Sequence, residues 1–140
     1  MENLTAFDVR AANGAHAIRM AGNLLIEAGY VTERYVGKMI QTYESNTRYF
    51  VIAPGVAIPH QRPELGALKT GAAIITLKKP INFGNPANDP VDTVIAFSAA
   101  DDEAHLKVVR QIAQFLQENV NSKNQEQLEL LLKKILENAI

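Results

Sequence analysis

The sequence predicts an α/β protein, a three-layer sandwich with a buried sheet between helices. Three observations predict it. The first and last thirds carry apolar residues at helical spacing, and the middle third holds short β-rich runs punctuated by proline and glycine. Two of those runs, Ala72 to Leu77 and Val91 to Phe97, read as near-continuous apolar runs rather than alternating ones. Continuous runs suit strands covered on both faces, which needs helices above and below the sheet.

Taken in order, the first third reads as two helices. Ile18, Ala21, Leu24, Leu25 and Ala28 recur at helical spacing, and Gly29 is placed to end that helix. Thr32 can cap a second helix, with Glu33 in its first turn and Val36, Met39, Ile40 and Tyr43 as the buried stripe. Ser45 and Asn46 break it. Strands then follow at Tyr49 to Ile52 and Val56 to Ile58, split by the turn signal Pro54-Gly55. Between the two continuous apolar strands, residues 82–90 (NFGNPANDP) are loop chemistry. Asp101 or Asp102 can cap a third helix with Leu106, Val109, Ile112, Ala113 and Leu116 as its stripe. A linker from Asn119 to Asn124 leads to a last helix. There Ser122 and Gln125 form a capping-box pattern, and Leu128, Leu131, Leu132, Ile135 and Leu136 form the stripe. Strand order is not encoded in this pattern.

Composition narrows the function. The chain has 140 residues, the size of one domain spanning residues 1–140, and 47% are apolar. The 14 basic and 15 acidic residues leave a net charge of −1, which argues against a broad basic nucleic-acid surface. There are no cysteines, so disulfides, thiolate metal sites and cysteine nucleophiles are excluded. Met1 is followed by Glu2 and Asp8 rather than by a basic start and apolar run, and no apolar run is long enough to cross a bilayer. A cytoplasmic protein is the expectation. The glycines match neither a dinucleotide fingerprint nor a P-loop.

Chemistry centres on His60. Pro59 stops the strand before it, so His60 sits at a strand end, where α/β sheets tend to place ligands. Pro59 and Pro63 restrict its backbone, and Arg62 lies two residues on. A neutral imidazole beside a guanidinium suits attack on an anionic group, because the arginine can neutralise phosphate oxygens bidentately. His105 falls in the first turn of the helix after the last strand, where helix-start amides also favour phosphate. His16 reads as a surface residue of the first helix. Taken alone, His60 reads first as a turn-capping loop histidine, and His105 as an exposed first-turn residue. A metal-dependent hydrolase built on His60 and His105 is the rival from another class, but the sequence offers no further ligand at metal spacing.

At these residues the sequence resembles the mannitol/fructose class of enzyme IIA domains of the bacterial phosphoenolpyruvate:sugar phosphotransferase system, and within it the ascorbate-type branch. Ala53-Pro54-Gly55-Val56-Ala57-Ile58-Pro59-His60 resembles the family's active-site motif, and Gln61-Arg62-Pro63-Glu64 its ascorbate-type continuation. Asn82-Phe83-Gly84 with Asn88-Asp89-Pro90-Val91 resembles a later loop, and Glu103-Ala104-His105-Leu106 the second histidine motif. The resemblance implies a mixed sheet with helices on both faces. It implies that His60 takes a phosphoryl group from phospho-HPr and gives it to an enzyme IIB, serving a membrane enzyme IIC and sugar uptake of ascorbate type. His105 would support the phosphoryl group, with neither cofactor nor metal, and a homo-oligomer is compatible with the role. The same fold can instead serve as a phosphorylation-dependent regulatory module. One departure matters: mannitol-type members place an active-site arginine near the end of the second helix, where this chain has Gln41-Thr42-Tyr43-Glu44. Arg48 and Arg62 are the replacements at hand, and nearness to His60 favours Arg62.

Overall fold

The apolar runs of the middle third do form the buried sheet. In a computed structural model, residues 3–119 and 123–139 are described. Five strands, β1 (Thr5–Val9), β2 (Val51–Ala53), β3 (Val56–Ala57), β4 (Gly71–Ile81) and β5 (Val91–Ser98), lie in the order β1-β4-β5-β3-β2. The sheet is mixed: β1–β4 and β3–β5 are parallel, β4–β5 and β2–β3 antiparallel. The helices are α1 (Gly14–Glu27), α2 (Glu33–Ser45), α3 (Asp102–Glu118) and α4 (Gln125–Glu137). Residues 71–75 of β4 and 93–98 of β5 are buried whichever way their side chains point. That is the burial expected of strands between two helical layers. Helices α1 and α2 pack together, as do α3 and α4, and both α1 and α4 lie on β4.

Several predicted elements hold at their ends. Thr32 caps α2 and Asp101 caps α3, each accepting from a backbone N–H three residues on. Gly29, with φ +82, follows the Ala28 C-cap of α1, a conformation that favours glycine. The asparagine-rich loop is held by Asp89, whose carboxylate accepts from the N–H groups of Phe83, Gly84 and Asn85. The side-chain amides of Asn85 and Asn88 in turn donate to the Val51 carbonyl.

Three readings are corrected. The first third is not wholly helical: Thr5–Val9 forms an edge strand whose parallel partner, β4, lies some seventy residues away. Its pairing is non-local, and a five-residue strand interrupted by Asp8 leaves little local signal. The α3 stripe is rotated. Val108, Ile112 and Phe115 face the core, while Leu106, Val109 and Ala113 are exposed. This helix has two adjoining apolar stripes that share Ile112, and periodicity alone does not choose between them. The capping box of α4 is made by Asn124 and Gln127. Ser122 lies outside the described residues.

Candidate active site

Parallel pairing of β3 with β5 brings the two histidines together. Their C-terminal ends must share one edge of the sheet, and the register pairs Ala57 with Val94. Three residues further along each chain, His60 comes opposite Phe97. The ladder is extended by a bond from the Phe97 N–H to the Pro59 carbonyl, 3.1 Å, which proline can accept though it cannot donate. β5 then runs through Ser98 into the capped start of α3, which carries His105 back over the same edge. The rings of His60 and His105 lie 5.3 Å apart in an edge-to-face contact, although 45 residues separate them in sequence.

Phe97 is the platform for both rings. His60 stacks on it at 4.6 Å with planes inclined by 17°, and His105 meets it edge-on at 5.3 Å. Phe50 and Tyr49 approach His60 from β2's side at 5.6 and 6.5 Å. The two imidazoles therefore lie in edge-to-face contact.

The polar contacts of His60 fix its chemistry. Its Nδ1 lies 2.8 Å from the Ile58 carbonyl, which can only accept, so Nδ1 carries the proton. Nε2 is then a bare lone pair, the form a nucleophile needs. Burial lowers the pKa of His60 below its ordinary 6.5; the Ile58 bond pulls the other way and the neighbouring His105 adds to the lowering. The ring is thus held neutral near pH 7. His105 has its Nδ1 buried without a hydrogen-bond partner.

The loop after His60 is tied down from α2. Tyr35, fully buried, accepts at its hydroxyl from the Gln61 N–H at 2.9 Å and lies 2.8 Å from the Phe97 carbonyl and 3.1 Å from the Gln61 carbonyl. Gln61 donates its side-chain amide to the Lys38 carbonyl at 3.1 Å and to the Thr42 hydroxyl. Tyr35 and Phe97 were not singled out by sequence. The available signal was that a tyrosine beside the stripe residue Val36 would need a partner for its hydroxyl if buried.

Arg62 follows on the exposed side of this loop and pairs with Glu64 at 3.5 Å. His16 is exposed on α1, where its Nδ1 accepts from the Ala12 N–H. Leu106, next in the chain to His105, is exposed, as are Tyr49, Ile52 and Val109 around His60. A cavity of about 80 Å³ opens beside His60, lined by Ile52, His60, Phe97, Val109 and Ala113. Among the described residues no group of three or more His, Asp or Glu is placed to hold a metal ion. No helix among them is long and apolar enough to cross a membrane.

Comparison with known proteins gives one consistent result. The family described as "Phosphoenolpyruvate-dependent sugar phosphotransferase system, EIIA 2" matches residues 1–135. The ascorbate-specific EIIA component of Escherichia coli is 42% identical over 106 residues, covering 75% of this chain and 69% of that protein. Its counterpart in Salmonella typhimurium is 38% identical over 120 residues, covering 85% and 78%. The solved mannitol-specific cryptic enzyme IIA of Escherichia coli superposes with a TM-score of 0.75 at 30% identity, over 99% of this chain and 92% of that one.

Proposed function

Because this chain belongs to the EIIA 2 family of the phosphoenolpyruvate-dependent sugar phosphotransferase system, we propose that His60 carries its phosphoryl group, received from phospho-HPr and passed to an enzyme IIB. The observation that carries the reading is the bond from His60 Nδ1 to the Ile58 carbonyl, which leaves Nε2 unprotonated on a ring stacked against Phe97.

The relay is two in-line displacements. The Nε2 lone pair forms an N–P bond as the bond from phosphorus to the donor's nitrogen breaks, and that nitrogen leaves with its electron pair. A nucleophile on enzyme IIB then attacks the same phosphorus, and the His60 N–P bond breaks in turn. The protein contributes positioning and charge neutralisation rather than covalent chemistry of its own. His105 supports the group: with Nδ1 buried and partnerless, a proton on the other nitrogen avoids an orphaned donor and makes the ring a hydrogen-bond donor. Arg62 neutralises phosphate oxygens from the exposed side of the loop, exchanging its exposed pair with Glu64 for the anion. The apolar surface of Tyr49, Ile52, Leu106 and Val109 suits two partners docking in succession. The ascorbate-specific relatives point to ascorbate as the cargo of the associated membrane enzyme IIC, with this domain working in the cytoplasm.

The test is incubation with phosphoenolpyruvate, enzyme I and HPr, followed by intact-mass measurement. One phosphoryl group per chain is expected, none in His60→Ala, and slower labelling in His105→Ala. Label that persists in His60→Ala would remove His60 from the role.

A further inference from the structure

We infer that Tyr35 and Thr42, both on α2, are positioning residues for phosphoryl transfer, acting on His60 through Gln61. The inference rests on the proposed carrier role of His60. Neither residue hydrogen-bonds to His60. Both grip the next residue in the chain, Tyr35 at its backbone N–H and Thr42 at its side-chain amide.

The argument begins with what holds His60 in place. On its N-terminal side the chain is fixed by the ladder: the Ile58 N–H bonds to the Phe50 carbonyl and the Pro59 carbonyl accepts from Phe97. Beyond His60 no strand continues, since β3 ends at Ala57, and the next regular element is the single turn Pro63–Leu65. The C-terminal tether is therefore supplied from another layer, by α2. The Tyr35 hydroxyl does two things at once. It accepts from Gln61 and it reaches the Phe97 carbonyl, so one oxygen joins the loop after His60 to the residue on which the His60 ring stacks.

Such a tether controls the direction of the Nε2 lone pair. A phosphoryl acceptor must line up with the bond that breaks, and a displacement of about 1 Å can cost on the order of a hundredfold in rate. The hydroxyl is fully buried, so no water replaces it readily once removed. Tyr35→Phe keeps the ring that fills the space beneath the loop and deletes only the bridging oxygen.

The experiment uses the full chain with two independent readouts. Imidazole ¹⁵N shifts report the His60 tautomer without any phosphoryl donor, and single-turnover labelling by phospho-HPr reports transfer. In Tyr35→Phe we expect a mixture of tautomers replacing the Nδ1–H form, together with a transfer rate at least ~10-fold lower and little change in KM for the donor. Should Tyr35→Phe fail to fold, Thr42→Val loosens the same residue from its other side and is expected to change both readouts in the same direction. An unchanged His60 tautomer and rate in a folded variant, even with a lowered Tm, would overturn the inference and leave Tyr35 a packing residue. A wild-type chain that accepts no phosphoryl group would overturn the carrier reading instead, while the tautomer measurement still decides whether the tether orients His60.

Discussion

His60 lies flat against Phe97, ring centroids 4.6 Å apart, because the parallel register of β3 and β5 carries the two residues to the same level of the sheet edge. One ring is the proposed nucleophile and the other is nearly wholly buried in the core. Catalytic geometry and core packing therefore meet at a single contact, and several expectations follow from it.

Replacing Phe97 should separate its two roles. Phe97→Ala removes a core aromatic and is expected to cost about 3–5 kcal/mol of stability, measured by urea unfolding. Phe97→Leu retains most of the apolar volume but takes away the flat face. It should remain folded and stable enough to assay, yet transfer phosphoryl groups more slowly. A Phe97→Leu protein with wild-type transfer kinetics would show that the stack is incidental.

The titration of His60 has a definite sign. Its folded pKa is lowered from 6.5, chiefly by burial. The unfolded chain therefore binds a proton more readily than the folded one as pH drops, so the folded state loses stability. The contribution is fully present above about pH 6.5 and is lost as pH falls through the folded pKa. NMR titration should give a His60 midpoint below the ordinary value, with phosphoryl acceptance declining over the same acidic range as Nε2 is protonated. A midpoint above 6.5 would contradict the burial argument.

Much of this site was legible in sequence, and the parts that were not share a cause. Pro59 announced the strand end, Asp101 announced the helix start, and the motif around His60 announced the family. What escaped was whatever depends on contacts between distant segments. β1 is an edge strand defined by β4. The core face of α3 is chosen by what packs against it, α4 included, not by its own spacing. Tyr35 gains its meaning only when α2 crosses under the loop that follows His60. Local periodicity carries no information about any of these partners.

Arg62 and Arg48 offer a direct comparison. Both side chains are exposed, and the Arg62–Glu64 pair at 3.5 Å is of the surface kind that adds little stability. Arg62→Ala should therefore leave the unfolding midpoint nearly unchanged. Its effect should fall on transfer, slowing it about tenfold or more through loss of a charge-assisted contact to the phosphoryl oxygens. Arg48→Ala should slow transfer less. Equal rates for the wild type and Arg62→Ala would assign the guanidinium to the surface pair alone.

The exposed half of α3 makes the last prediction. Val109 lines the His60 cavity, and Leu106, next in the chain to His105, lies one helical turn before it; both are exposed. Their burial by a docking partner would account for apolar side chains left in water on a helix that already has a complete core face. Leu106→Asp places a charge in that patch at a position already 55% exposed, so folding should change by no more than about 0.5 kcal/mol. Desolvating the new carboxylate should weaken docking, raising KM for phospho-HPr while leaving the maximal rate close to that of the wild type. Leu130→Asp is the matched control, since Leu130 is comparably exposed at 60% but lies on α4, over the cleft between α3 and α4. It should leave KM unchanged. If both variants raise KM alike, the effect is one of overall charge; if neither does, the partner approaches His60 from the β2 side, across Tyr49 and Ile52.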